Sequence, residues 1–286
     1  MNSVVKKIFK IIGILILVLL VGFFIVLYRF STPKSDTSIK KEFSENNTEV
    51  YINRLKFKNF KFRVLQTQKK IDSLKPTIIF VHGSIGSSLD FKKYMFDVEL
   101  KSKANLISYD RVGYGVDQTG EVQESIKFET ALLEDLILQL GVLNPILVGY
   151  SYGGPIALAS KKQYKKIVLL APAVIARVEP MPWAINFYKW KATRWILPKA
   201  WQAASKEKLS HKKDLLNYDD KWNENQTPII CVQGNGDWIV PYENSTILKG
   251  EFPSKQFKLI TLENVGHELI WSNFEDIKQV LKQQLN

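Results

Sequence analysis

The sequence is poor in cysteine and histidine. Its 286 residues include one cysteine, Cys231, and three histidines. A single cysteine cannot form a disulfide within the chain, and no group of cysteine and histidine has the spacing of a metal site. We therefore expect no disulfide framework, no structural zinc and no other metal centre.

Acidic residues are also too few to balance the basic ones, and the formal net charge is +12. Such an excess can indicate a nucleic acid or an anionic membrane as partner. The lysines are scattered, however, and no RNA- or DNA-binding motif accompanies them, so we expect no nucleic-acid partner. With 45% hydrophobic residues the chain can build one sizeable globular core.

Charge is absent from one long stretch near the amino terminus, residues 11–28. As a helix this stretch would extend about 27 Å, enough to cross a bilayer. Lysines precede it, as they do in a cleaved signal peptide, but no small-residue cleavage site follows. An aromatic and basic triplet at residues 28–30 follows instead and resembles an interfacial anchor. The sequence predicts a single-pass membrane anchor over residues 1–30, with the rest of the chain on the extracytoplasmic side.

The chain after this stretch changes character twice. Residues 31–48 are polar and are predicted to be a linker. Residues 50–68 alternate aromatic or β-branched with polar residues, which predicts an antiparallel hairpin at a sheet edge. We expect the globular domain to cover residues 49–286.

Short apolar runs then alternate with helical patterns such as that of residues 128–140. The runs are residues 76–83, 104–110, 145–151, 166–173, 228–237 and 257–267. Each resembles a strand buried on both faces, and the alternation predicts an α/β fold with a mostly parallel sheet and helices on both faces. Ligands bind at the carboxyl ends of such strands.

A serine lies between glycines at the end of one of these runs. The segment Gly149-Tyr150-Ser151-Tyr152-Gly153 has the G-x-S-x-G pattern between a predicted strand and a predicted helix, the context of a nucleophile elbow. Glycines permit the close backbone approach that a sharp turn requires. Ser151 is therefore the candidate nucleophile.

A serine hydroxyl needs a base, and the base needs an orienting acid. His267 follows the last apolar run, whereas His82 precedes a glycine loop and His211 lies in a polar stretch. Asp237 follows another strand through a glycine-containing turn. The predicted triad, in the chain order Ser151, Asp237, His267, has the order of the α/β-hydrolase arrangement.

In this order and in five segments the chain resembles the α/β-hydrolase superfamily. The segments are VHGSIGS (81–87), YDRVGYG (109–115), GYSYGGP (149–155), GNGDWIVP (234–241) and VGHE (265–268). The resemblance implies an oxyanion hole formed by the backbone N–H groups of Ser84 and Tyr152, and a loop-shaping role for His82. In the second segment, Asp110 and Arg111 are predicted to form a charged pair.

An aromatic and basic stretch interrupts the alternation, and it resembles the helical cap of that superfamily, at about residues 174–222. The candidates for lining an apolar acyl pocket are Trp183, Phe187, Trp190, Trp195 and Trp201. These side chains could instead pack the cap onto the sheet or contact a bilayer. Glu179 could bind a substrate amine, as acidic cap residues do in proline-releasing peptidases.

The sequence therefore predicts a membrane-anchored serine hydrolase. Its substrate would be a small-molecule or lipid-like carboxylic ester or thioester, cleaved through an acyl-enzyme without a cofactor. Two alternatives remain open at this point. One is an aminopeptidase of the proline-releasing type, and the other is a catalytically silent α/β-hydrolase domain that only binds a partner.

Overall fold

The computed structural model describes residues 3–285; residues 1, 2 and 286 and the side chains of Ser3 and Phe30, which the predictions include, lie outside it. The described strands are β1 (Tyr51–Phe57), β2 (Phe60–Gln66), β3 (Thr77–Val81), β4 (Asn105–Tyr109), β5 (Ile146–Tyr150), β6 (Lys166–Leu170), β7 (Ile229–Gly234) and β8 (Phe257–Leu262). They form one eight-stranded sheet in the order β1-β2-β4-β3-β5-β6-β7-β8. The β1–β2 and β2–β4 pairs are antiparallel and the others are parallel. Both the edge hairpin and the mostly parallel sheet are confirmed.

Helices connect and flank the strands. They are α1 (Ser3–Ser31), α2 (Asp36–Glu45), α3 (Lys92–Phe96), α4 (Val98–Lys103), α5 (Ile126–Gln139), α6 (Gly153–Leu158), α7 (Asn186–Lys189), α8 (Lys191–Arg194), α9 (Lys199–Leu215), α10 (Glu243–Glu251), α11 (Leu269–Ser272) and α12 (Phe274–Lys282). Between β6 and β7 the chain leaves the sheet and forms α7, α8 and α9, which we call the cap, residues 174–222.

The central strands are buried on both faces. In β3, Ile79 and Val81 belong to the hydrophobic cluster on one side of the sheet, whereas Ile78 and Phe80 belong to the cluster on the other side. Successive side chains of a strand point to opposite faces. A strand covered on both sides must therefore be an uninterrupted apolar run, which is why these strands were predictable.

The interpretation of residues 31–48 as a linker missed helix α2. The Ser35 hydroxyl accepts a hydrogen bond from the Ser38 N–H and caps this helix, while Ile39 and Phe43 are fully buried. The Phe43 ring packs edge-on against Phe96, with ring centroids 4.8 Å apart. Two apolar residues one turn apart in a polar segment are too weak a pattern to show amphipathic periodicity, yet they attach the helix to the core.

Helix α1 carries no charged residue between Ile11 and Tyr28. By length and composition the segment Val4–Arg29 could cross a membrane, a test that a signal sequence near an amino terminus also passes. Its apolar window is not buried against the rest of the protein. Helix α1 approaches helix α9 of the cap.

Candidate active site

Ser151 directly follows strand β5 in a strained conformation. Its φ is +53°, a region that residues with a side chain rarely adopt. The Ser151 N–H donates to the Leu170 carbonyl at 2.9 Å, and the Ser151 carbonyl accepts from the Gly154 N–H at 2.9 Å. The turn between β5 and α6 is therefore fixed on both sides, and it holds Ser151 at the carboxyl edge of the sheet.

Two glycines make this turn possible by close approach. A Cβ added to Gly153 would lie 2.1 Å from the Val81 carbonyl oxygen, and one added to Gly149 would lie 2.4 Å from the Gly153 carbonyl oxygen. Both contacts are with backbone, which cannot move aside cheaply. The G-x-S-x-G pattern thus has a steric cause in this fold.

The structure brings the three predicted triad residues together. His267 Nε2 lies 3.0 Å from Ser151 Oγ, and His267 Nδ1 lies 2.8 Å from Asp237 Oδ2. The other carboxylate oxygen of Asp237 accepts from the N–H groups of Ile239 and Val240, at 3.0 and 2.9 Å. Because a carboxylate only accepts, Nδ1 carries the ring proton and Nε2 is free to accept the serine proton. All three residues are at most 9% exposed.

Tyr150 supports the histidine, a contact that the sequence analysis missed. Its ring stacks on the His267 imidazole, with centroids 5.1 Å apart, and its hydroxyl donates to the His267 carbonyl at 2.8 Å. Burial raises the pKa of Tyr150 above its usual value, so this hydroxyl stays protonated and remains a donor. Tyr150 occupies a variable position of the elbow motif, so the motif alone gave no reason to select it.

The predicted oxyanion donors border Ser151. Tyr152 follows it directly, and Ser84 lies in the loop after β3, where a Cβ on Gly83 would be 2.8 Å from the Ser151 Cβ. Within residues 3–285, the backbone N–H groups of Ser84 and Tyr152 donate to no protein acceptor. Free N–H groups beside a nucleophile are what stabilisation of an oxyanion requires.

Arg111 connects the elements that carry these two donors. Its side chain is fully buried; the guanidinium donates to Glu207 of helix α9 and, at 3.3 Å, to the Gly83 carbonyl. The same group lies over the Tyr152 ring, 4.5 Å from its centroid. Arg111 therefore links the cap, the loop after β3 and the nucleophile elbow.

The predicted pair between Asp110 and Arg111 is wrong. Asp110 accepts from Arg63 at 2.8 Å and from the Ser88 hydroxyl at 2.7 Å. Adjacent residues leaving an extended strand point in opposite directions, so the two neighbours find separate partners.

Glu207 is a buried neighbour of the site that sequence reasoning missed. Besides Arg111, its carboxylate accepts from the hydroxyls of Ser84 and Tyr114. It lies in a lysine-rich segment that resembles a solvated helix. The available signal was a buried stripe at helical spacing, formed by Ala200, Ala203, Glu207, His211 and Leu215.

The two remaining histidines have structural contacts. His82 Nδ1 donates to the Gly83 carbonyl at 2.8 Å, and Nε2 accepts from the Arg111 N–H at 2.9 Å. Burial and the Arg111 charge hold the pKa of His82 well below its usual range, so the ring is neutral. His211 Nε2 lies 3.0 Å from the Ala173 carbonyl oxygen, and burial lowers the pKa of His211.

Glu179 is already paired. It is buried, and its carboxylate forms an ion pair with Lys208 of helix α9. The sequence analysis suggested that Glu179 could bind a substrate amine. Because Lys208 already neutralises this carboxylate, Glu179 offers no free negative charge to an amine.

Four of the five predicted pocket aromatics lie exposed on the cap, namely Trp183, Phe187, Trp190 and Trp195, and the first three line one apolar groove. These four do not pack the cap onto the sheet, which was one of the alternatives. The fifth, Trp201, is half-buried. Their role in binding an acyl chain stays a prediction.

Glu129 of helix α5 is a buried carboxylate beside Arg111, whose Nε lies 3.8 Å from it. Within the described residues neither of its oxygens has a hydrogen-bond partner. Burial, the largest influence, raises the pKa of Glu129 to about 8.

Among residues 3–285, no group of three or more His, Cys, Asp or Glu side chains is arranged to hold a metal ion.

The raised pKa makes stability depend on pH. Glu129 ionises in the unfolded chain near its ordinary pKa but in the folded protein only near pH 8, so its contribution to stability is lost as pH rises through this window. Glu129→Gln should raise the free energy of unfolding at pH 9 by about 1–3 kcal/mol, with no difference near pH 4. Denaturant unfolding at a series of pH values between 4 and 9 measures this difference in the free energy of unfolding. Glu121→Gln, at an exposed position, is the control. Parallel curves for Glu129→Gln and the original protein would contradict the prediction.

Comparisons with known proteins agree with this architecture. A family model for the alpha/beta hydrolase family matches residues 78–281. A Mycoplasma pneumoniae protein whose name marks it as a candidate esterase/lipase is 32% identical over 99 residues, a match that spans only 33% of this chain and 37% of that relative.

Solved structures share the fold at low identity. The crystal structure of a membrane phospholipase A, described as a bacterial virulence factor, is 16% identical, with 98% of both chains covered and a TM-score of 0.66. Carboxylesterase CesB of Bacillus subtilis is 15% identical over 86% of this chain and 94% of its own, with a TM-score of 0.63. With the family match extending from β3 to helix α12, the chain belongs to the α/β-hydrolase family.

Proposed function

We propose that this α/β-hydrolase is a membrane-anchored serine esterase that cleaves carboxylic esters or thioesters with small-molecule or lipid-like acyl groups. The observation that carries the proposal is the hydrogen-bonded series Ser151–His267–Asp237, with distances of 3.0 and 2.8 Å. The names of the relatives, which include an esterase/lipase and a carboxylesterase, support an ester as the substrate class.

The first half of the reaction forms the acyl-enzyme. Ser151 Oγ attacks the acyl carbonyl carbon while its proton passes to His267 Nε2, and Asp237 stabilises the resulting imidazolium. The carbonyl oxygen becomes an oxyanion that accepts from the N–H groups of Ser84 and Tyr152. Each such donor contributes about 3 kcal/mol to stabilisation of the transition state.

The second half releases the acid. His267 gives its proton to the leaving alcohol or thiol as the bond to the carbonyl carbon breaks. A water molecule then attacks the acyl-enzyme and transfers its proton to His267 Nε2. The proton returns to Ser151 Oγ as the carboxylic acid leaves, so each cycle consumes one ester and one water.

The anchor and its orientation belong to the same proposal. Helix α1 would hold residues 1–30 in the membrane, and the basic leader favours the catalytic domain on the extracytoplasmic side. The proposal includes α2 in the catalytic domain, and the burial of Ile39 supports a start before residue 49.

Labelling by a fluorophosphonate tests the nucleophile directly, because this reagent phosphonylates only an activated serine. The full chain in detergent should be labelled at one site, and Ser151→Ala should abolish the labelling. Ser108→Ala removes another buried hydroxyl, which donates to the Ser88 carbonyl, and should leave labelling intact. A folded but unlabelled original protein would favour a silent binding domain.

Chromogenic substrates then separate esterase from peptidase. We expect turnover of p-nitrophenyl esters, with a chain-length optimum, and none of prolyl p-nitroanilides. Turnover of the anilides that falls with Glu179→Gln would overturn the ester assignment in favour of an aminopeptidase.

A further inference from the structure

The chain after helix α1 enters the domain at the catalytic edge of the sheet. The Lys34 carbonyl accepts from Arg63 Nη1 at 2.7 Å, and the same guanidinium pairs with Asp110 at 2.8 Å. Asp110 directly follows the carboxyl end of β4, as Ser151 directly follows the carboxyl end of β5. Parallel strands end at a common edge, so the end of α1 and the triad lie on the same side of the sheet.

The connection between helix α1 and the domain is also short. Helix α1 ends at Ser31 and α2 begins at Asp36, so only residues 32–35 separate them. Even fully extended, such a segment spans about 14 Å. A membrane that holds α1 must therefore lie close to the catalytic edge, and helix α9 of the cap, which α1 approaches, must lie close to it as well.

Exposed aromatic rings are concentrated at this edge. Among residues 3–285 outside α1, every ring among the exposed large hydrophobic side chains lies on the cap, directly after Asp237, or on helix α11, which begins two residues after His267. We call these rings the aromatic rim, which consists of Trp183, Phe187, Trp190, Trp195, Trp238 and Trp271. Their exposed fractions run from 41% at Trp271 to 82% at Trp238. Three of these rings, Trp183, Phe187 and Trp190, line one apolar groove, and exposed apolar surface of this kind marks a site of interaction.

Positive charge accompanies the rim. Residues 180–202 of the cap contain Lys189, Lys191, Arg194 and Lys199 and no acidic residue. Tryptophan together with lysine and arginine is the composition of surfaces that lie in the interface of an anionic bilayer.

We propose that the aromatic rim inserts into the surface of an anionic bilayer, so that the active site opens toward the lipid. This inference rests on the proposed anchoring by α1 but not on the proposed hydrolytic chemistry. The rim rings enter the headgroup region, the cap lysines face acidic headgroups, and an acyl substrate reaches Ser151 from the membrane.

The chain is well suited to a site-specific test because its only cysteine, Cys231, is buried. A cysteine introduced at the surface can therefore be labelled alone with nitrobenzoxadiazole, whose emission shifts to the blue in an apolar environment. The rim positions are Phe187→Cys and Trp195→Cys. Matched controls are Leu74→Cys and Leu143→Cys, exposed aliphatic positions that precede β3 and β5 at the opposite edge of the sheet.

The full chain is reconstituted at one copy per nanodisc of phosphatidylcholine and phosphatidylglycerol. We expect a blue shift and quenching by spin-labelled lipid at both rim positions, and neither at the two control positions. Equal responses at rim and control positions would overturn the proposal. A blue shift that requires two copies in one disc would also overturn it, because the rim would then bind a second copy of this chain.

Two further readouts separate this proposal from the others. If carbonate washing releases the full chain from membranes, the anchor fails and the docking of the rim fails with it. If the chain stays in the membrane but the rim labels do not respond, only the docking fails. Fluorophosphonate labelling of each cysteine variant reports folding and the nucleophile independently of the bilayer.

Discussion

Ser151→Ala should lower kcat for a p-nitrophenyl ester by about 10⁵- to 10⁶-fold and change KM little. The substitution removes the atom that attacks the carbonyl, while the binding surface and the oxyanion donors remain. Initial rates of the purified full chain over a range of ester concentrations measure both parameters. A residual rate above the uncatalysed reaction is expected from the oxyanion donors and from binding alone.

Companion substitutions make this expectation specific to the triad. His267→Ala should lower kcat about as much as Ser151→Ala does. The double variant should lower kcat no further, because the two residues act as one unit. Asp237→Asn should lower kcat about 10⁴-fold. Ser108→Ala, the buried-serine control, should keep its turnover. A loss below about tenfold in a folded Ser151→Ala would show that another group performs the attack.

Arg111→Leu should lower the free energy of unfolding by about 3–5 kcal/mol, because it leaves the buried Glu207 carboxylate without its cation. For a domain of this size the loss corresponds to a fall in Tm of about 6–20 °C. Denaturant and thermal unfolding measure the two quantities. Arg111→Leu/Glu207→Leu should recover much of the loss, since removing both charges leaves neither of them unpaired.

Arg54 provides a matched control for burial. It pairs with two carboxylates, Asp36 at 2.8 Å and Asp117 at 2.7 Å, but its side chain is 30% exposed where that of Arg111 is fully buried. Water and salt screen such a pair, so Arg54→Leu should cost less than about 1 kcal/mol. If Arg54→Leu and Arg111→Leu lowered the free energy of unfolding equally, burial would not decide how much an ion pair contributes to stability.

The sheet and the grouping of the triad were predictable for one physical reason. Strands covered on both faces must be apolar throughout, and Ser151 and Asp237 follow such strands, whereas His267 follows the partly exposed edge strand β8. Parallel strands all end at one edge, so residues far apart in sequence meet there. The positions of the three residues after predicted strands thus indicated which serine, acid and histidine belong together.

What the sequence could not reveal depends on partners distant along the chain. Arg111 and Glu207 are 96 positions apart, and the helical spacing that puts Glu207 on the buried stripe of α9 does not identify Arg111 as its partner. Asp110 and Arg111 are adjacent and opposite in charge, which favours a local pair until the strand direction separates them. Helix α2 was missed because its burial depends on Phe96 and its neighbours, not on its own periodicity.

The burial of helix α2 has a practical consequence for preparing a soluble form. A fragment cut at residue 49, where a linker would end, loses Ile39 and Phe43 from the hydrophobic core. Burial of such side chains contributes about 1.5–3 kcal/mol each, a large share of the 5–15 kcal/mol that stabilises a typical domain. The fragment would also expose the apolar surface against which they pack, and would tend to aggregate. A soluble hydrolase should therefore start at about residue 32, so that only helix α1 is removed.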